Sequence, residues 1–146
     1  MGMKGIEVLR SVGGELEMPP CAKLLGWQLI EIEPGRVKVR YEASADFLNP
    51  QGVVQGGFVA AMLDDVMGPA AFSLLEEGQF APTLEFKVSF MRPVKPGPVT
   101  GEGRVVERTR SIVFMEGALH SEGGELLARA SATARIVSSD LPELGR

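Results

Sequence analysis

Asn49-Pro50-Gln51-Gly52-Val53-Val54-Gln55-Gly56-Gly57 runs without a break into the apolar stretch from Phe58 to Leu75, which carries Asp64 and Asp65 near its middle. A glycine-rich loop opening into a long, nearly uncharged helix presents bare backbone N–H groups at the positive end of the helix dipole. Such a terminus can hold an anion, or the oxygen of a carbonyl becoming one. Ala60, Ala61, Met62, Leu63, Val66, Met67, Ala70, Ala71 and Phe72 leave the helix almost no polar face, so burial on most sides is expected. Two carboxylates in that setting are costly unless something uses them. Pro69 is expected to kink or loosen the second half, and Glu76-Glu77-Gly78-Gln79 to end it.

Working outward, residues 27–33 and 36–43 alternate apolar and polar around Pro34-Gly35, which reads as a hairpin with Val37, Val39 and Tyr41 on its buried face. Residues 1–18 read as a short helical extension interrupted by Gly13-Gly14, and residues 21–25 as a helical turn stopped by Gly26. Beyond the helix, residues 83–91 alternate strictly, with Leu84, Phe86, Val88 and Phe90 on one face and Thr83, Glu85, Lys87 and Ser89 on the other. Further strands are expected at 99–109, 111–120 and 126–137, and residues 138–146 read as a frayed tail. The order lacks βαβ alternation, so an α+β architecture follows: an antiparallel sheet packed on one central helix. One helix covers a sheet face poorly, so a second copy of the chain is an expected partner.

A chain of 146 residues fits a single domain, 1–146, with 45% hydrophobic and 23% charged residues, ordinary for a globular protein. A net charge of −4 argues against nucleic acid or a membrane surface as partner, since both call for a clustered basic face. The lone Cys21 excludes an internal disulfide and points to a reducing cytosol. No apolar leader or spanning stretch is read, so export and membrane insertion are not expected. With His120 as the single histidine, a nucleophile triad would have to use that residue, and a multi-histidine metal centre is impossible. Hydrolysis would have to rely on carboxylates and backbone.

The pattern Asn49-x-x-Gly52-x-x-Gln55-Gly56-Gly57 with Asp64 nine residues after Gln55 resembles that of the hotdog-fold acyl-CoA thioesterases, specifically the PaaI-like subgroup around the phenylacetate-degradation thioesterase. There it reads Asn-x-x-Gly-x-x-His-Gly-Gly, with a catalytic aspartate nine positions after the histidine. Phe90-Met91-Arg92-Pro93-Val94 is similar to the family's aromatic-x-Arg-Pro segment, and Thr83 falls where relatives carry a Ser or Thr that positions the attacking water. The resemblance spans roughly residues 20–137 and departs at Gln55, which replaces the histidine but can still donate through its amide.

The resemblance implies a hotdog fold, hydrolysis of an acyl-CoA thioester, and a homodimer or homotetramer. It implies no metal and no cofactor beyond the coenzyme A carried by the substrate. Gly56 and Asp64 lie about 12 Å apart along a helix at 1.5 Å per residue, too far to serve one carbonyl within one chain. Two antiparallel helices across a two-fold axis would bring the glycine end of one to the aspartate of the other. Gly56, helped by Gln55, would then polarise the carbonyl. Asp64 would act as base on water or as nucleophile, with Thr83 orienting the water and Asn49 shaping the loop. Gly57 and Phe58 would line the substrate site, while Arg92, Lys95, Arg108 and Arg110 are candidates for the phosphates. Phe47, Leu48, Val53, Val54, Phe58 and Met62 suggest an apolar acyl or aryl group. Dehydration or hydration of a thioester is disfavoured, since no histidine lies near the helix; a non-catalytic acyl-CoA-binding regulator is the alternative.

Overall fold

The computed structural model describes residues 2–138. Helices α1 (Gly5–Ser11) and α2 (Pro20–Leu25) precede the hairpin β1 (Gln28–Glu33) and β2 (Arg36–Ala43). A 3₁₀ turn at Ala45–Phe47 leads through the glycine-rich loop into α3 (Gly56–Phe72). The remaining strands are β3 (Gln79–Phe80), β4 (Thr83–Phe90), β5 (Gly97–Arg108), β6 (Ile112–Ser121), β7 (Leu126–Arg135) and β8 (Val137–Ser138). Six of them form one antiparallel sheet in the order β1-β2-β5-β6-β7-β4, and β3 pairs with β8 apart from it.

The sheet curls around α3. Val59, Met62, Leu63, Val66, Met67, Ala70 and Ala71 of the helix are buried against the inward residues of the strands, among them Val37, Val39 and Tyr41 as expected. Glycines set how closely helix and sheet approach. A Cβ at Gly103 would sit 2.2 Å from the Val66 carbonyl oxygen, and one at Gly117 would sit 2.8 Å from Met67 Cγ. Strand interiors normally disfavour glycine; here its missing side chain is what admits the helix.

The helix ends earlier than the apolar stretch suggests. Pro69 lies inside α3, which continues only to Phe72, one turn later. Ser73 then closes the end: its hydroxyl donates to the Ala70 carbonyl at 2.7 Å and accepts from the Gly35 N–H at 2.8 Å, tying α3 to the β1–β2 turn. Gly35 itself has φ of 79°, which the two-residue Pro34-Gly35 turn requires. The tail read as frayed begins one residue too soon, because Ser138 pairs with Gln79; the rest of that tail lies outside the described residues.

Strict alternation does not hold through β4. Thr83 pairs with Ala134 and Glu85 with Thr133, so β4 carries one extra residue at a β-bulge. Opposed residues of a ladder share a face, so Thr83, Phe86, Val88 and Phe90 all join the helix-facing alanines of β7, and Thr83 does not share a face with Glu85 and Lys87. The strand is also a sheet edge. Leu84, Phe86 and Phe90 on this edge are 57%, 36% and 58% exposed.

Candidate active site

The loop is built on Asn49. Its Oδ1 accepts from the N–H groups of Gln51 (3.0 Å) and Val53 (3.3 Å), and its carbonyl accepts from Gly52 at 2.9 Å. Gly52 turns the chain with φ of 78°. The loop is fastened by Gln55 N–H to the Phe47 carbonyl and Val54 N–H to the Val94 carbonyl, each 2.8 Å. Phe47 and Phe58 stack beneath it, ring centres 4.2 Å apart and nearly parallel. Asn49 therefore shapes the loop and sits one step back from the helix mouth.

Gln55 is the N-cap of α3. Its Oε1 accepts from Gly57 N–H at 2.7 Å, while its own carbonyl takes the Phe58 N–H at 2.9 Å. Those two donors are thus occupied. Gly56 N–H has no acceptor among the described residues, and it lies at the dipole's positive end. Gly56 borders a cleft of about 340 Å³ lined by Val53, Val54, Val59, Phe90, Met91 and Arg92 together with Pro93 and Val94. Phe90 closes one wall: its ring lies 3.4 Å from where a Cβ on Gly56 would stand.

Asp64 stands two turns further along, paired with Thr83. The Thr83 hydroxyl donates to Asp64 Oδ1 at 2.8 Å, a contact created by the β4 bulge. One chain therefore brings Asp64 to Thr83, and Gly56 to Phe90 and Arg92, but leaves these two groups of residues apart.

Asp65 points the other way around the helix, as the 100° step between neighbours demands. The Tyr41 hydroxyl, fully buried on β2, lies 2.8 Å from Asp65 Oδ2 and 3.1 Å from the Met62 carbonyl. Burial raises the Asp65 carboxyl to about 6; the Tyr41 hydrogen bond opposes this and the neighbouring Asp64 adds to it. Burial, then Asp65 itself, pushes the Tyr41 phenol well above its ordinary value. The sequence reading missed this pair. The signal was available: a tyrosine on the buried face of a strand needs a partner for its hydroxyl.

The four basic candidates separate into two places. The Arg92 guanidinium donates to the Leu126 carbonyl at 2.7 Å and lies 3.6 Å from Glu125 Oε2, bracing the β6–β7 turn beside the cleft. Lys95 is exposed nearby, three residues along. Arg108 and Arg110 stand at the other end of β5, roughly 35 Å away at strand rise, where Arg108 donates to the Leu74 carbonyl at 2.8 Å.

An antiparallel sheet wrapped on one long central helix is the hotdog architecture. The chain belongs to the Thioesterase superfamily, which it matches over residues 51–128, and it is a thioester hydrolase. It is 36% identical to a phenylacetic acid degradation-related protein of Ralstonia eutropha JMP134, covering 91% of this chain and 99% of that one, with a TM-score of 0.83. The proofreading thioesterase EntH of Klebsiella pneumoniae is 29% identical over 77% of this chain and 79% of its own. A Streptococcus mutans protein whose crystal structure holds acetyl CoA shares the fold, with TM-score 0.72 and 23% identity over 77% of this chain and 89% of that one. Among the described residues no helix is long and apolar enough to cross a membrane.

Proposed function

We propose that this thioester hydrolase cleaves acyl-CoA with an apolar acyl or aryl group, in a site shared between two copies of the chain. The observation that carries the reading is the separation of an open Gly56 N–H, in an apolar cleft, from an Asp64 carboxylate fixed by Thr83 two helical turns away. A free edge strand with exposed Leu84, Phe86 and Phe90 gives a second copy a place to pair. An antiparallel pairing of edges lays the two α3 helices head to tail, so the Gly56 of one chain meets the Asp64 of the other. The assembly is a dimer, or a tetramer made of such dimers.

The carbonyl oxygen takes the Gly56 N–H as it gains charge, a donor worth on the order of 3 kcal/mol of barrier. Gln55 caps Gly57 through its oxygen, which leaves its NH₂ as a second donor at the helix mouth. In the general-base form, Asp64 takes a proton from water, the oxygen adds to the carbonyl carbon, the C–S bond breaks, and the thiolate recovers the proton. In the nucleophilic form, an Asp64 oxygen adds directly, coenzyme A leaves as thiolate, and water opens the resulting anhydride. Thr83 holds Oδ1 in both and orients the water. Val53, Val59 and Phe90 of the cleft border the acyl group, with Gly57 and Phe58 supporting the helix mouth behind them. Arg92 and Lys95, beside the cleft, meet the phosphates, whereas Arg108 and Arg110 reach them only from another copy. No cofactor is required, and the cytosol keeps the exposed Cys21 reduced.

Asp64→Asn and Gly56→Val proteins, each inactive alone, are expected to regain up to about a quarter of wild-type thiol release after being unfolded and refolded together, the share of site halves that recombine intact. Mixing that restores nothing would remove the shared site. Single turnover in H₂¹⁸O separates the two chemical forms, because only the anhydride route puts label into Asp64.

A further inference from the structure

Tyr41 stands in a position that hydrolysis by Asp64 and Gly56 does not by itself call for. Its hydroxyl carries one proton and lies within reach of two acceptors, Asp65 Oδ2 at 2.8 Å and the Met62 carbonyl at 3.1 Å. An ionised Asp65 takes that proton in a charge-assisted bond. A neutral Asp65 donates its own proton to the phenol oxygen, and the Tyr41 O–H then turns to Met62. Both arrangements are fully bonded, and they grip different parts of one helical turn. Asp64 belongs to the same turn and is gripped from the opposite side by Thr83 of β4.

We propose that Tyr41 and Asp65 are positioning residues for the hydrolysis: ionised Asp65, bonded to Tyr41, pins the turn carrying Asp64 to β2 while Thr83 pins it to β4. The inference rests on the reading of Asp64 as base or nucleophile. Loss of the charge on Asp65 reverses the Asp65–Tyr41 bond and adds one from Tyr41 to the Met62 carbonyl, so the turn is held at two points instead of one and the Asp64 carboxylate shifts off its line to the partner's Gly56. Misplacement of that kind is felt in the rate far more than in binding.

Few groups face the pair. Cys21 of α2 lies within electrostatic range of Tyr41, and Asp64 neighbours the pair on α3 itself. The inward residues of β5, β6 and β7, such as Val99, Gly101, Met115, Leu119 and Ala132, carry no ionisable side chain. Burial sets the Asp65 carboxyl at about 6, so the swap falls within the range where activity is measured.

The test compares wild type, Tyr41→Phe, Asp65→Asn and the double variant in thiol release from acyl-CoA between pH 5 and 9, with a melting curve on each to establish folding. Expected are a fall in kcat of about tenfold in each single variant, KM within about twofold, and a double variant no worse than either single one. Wild-type kcat should also fall as pH drops through about 6, a limb absent in Asp65→Asn and moved to higher pH in Tyr41→Phe, which loses the bond that favours the ionised acid. Folded variants with wild-type kcat and the same acid limb would overturn the proposal while leaving Asp64 in its role. A wild type that releases no thiol would instead bring down the acyl-CoA reading and this inference with it. Should Tyr41→Phe not fold, Asp65→Asn decides alone.

Discussion

Thr83 meets Asp64 hydroxyl to carboxylate at 2.8 Å across a strand edge and a helix, and the meeting depends on one extra residue in β4. Without the bulge, alternation would turn Thr83 to the outer face with Glu85 and Lys87. Bulges recur beside active sites because they re-aim one side chain without disturbing the remaining ladder. Thr83→Val keeps shape and removes the hydroxyl. Its kcat is expected to fall roughly ten- to hundredfold, the loss of one hydrogen bond to a charged group. Steady-state kinetics should show KM little changed.

Gln55 serves two ends that can be pulled apart. Gln55→Glu retains the acceptor for Gly57 N–H and adds a negative charge at the helix N-terminus, which should stabilise the fold by a few tenths of a kcal/mol or more. The same charge opposes a developing oxyanion at Gly56, so the rate is expected to fall at least about tenfold. Melting temperature and kcat moving in opposite directions would establish both roles; parallel changes would not fit.

The free edge of β4 should hold the assembly together. Phe86→Glu places a charge on a side chain already 36% exposed, so a single chain tolerates it. Light scattering is expected to report a shift to a smaller species, with thiol release lost in proportion.

Gly103 lies where sheet and helix leave no room for a side chain. Gly103→Ala would drive a methyl to 2.2 Å from the Val66 carbonyl oxygen, where backbone and not a side-chain tip would have to yield. Overpacking of this type costs about 1–3 kcal/mol or more, visible as a lower denaturation midpoint.

Asp65 gives stability its own pH dependence. Burial raises its folded carboxyl to about 6 from the ordinary 3.8, so the unfolded chain loses this proton first as pH rises. Stability contributed here is highest below about pH 4, declines between about 4 and 6, and is flat above, with a span on the order of 3 kcal/mol at most. Asp65→Asn should flatten that stretch of the stability profile in urea melts at a series of pH values.

Much of this was legible in the chain itself. Buried Val37, Val39 and Tyr41, the turns at Pro34-Gly35 and Gly26, and a helix opened by glycines follow from periodicity and turn chemistry, which are local. The bulge at Thr83–Glu85 did not follow, since Thr-Leu-Glu-Phe alternates perfectly and only pairing with Ala134 and Thr133 reveals the slip. The Tyr41–Asp65 and Arg92–Leu126 hydrogen bonds join residues 24 and 34 positions apart, beyond what spacing can report. Gln55 as a cap was within reach of the sequence, since a side-chain oxygen just before the helix can accept the Gly57 N–H.

The glycines under α3 have a bearing on what the protein can accommodate. With Gly103 and Gly117 admitting the helix almost onto the strands, and Met62, Leu63, Val66 and Met67 wholly enclosed, the hollow of the sheet is filled by the protein's own helix. On the proposed function, a hydrocarbon tail would have to lodge along the flank, beside Phe86, Val88 and Phe90 and whatever a second copy of the chain presents there. On that reading, tolerance for longer or bulkier tails would be set at a seam, where single substitutions could retune it without loosening the interior.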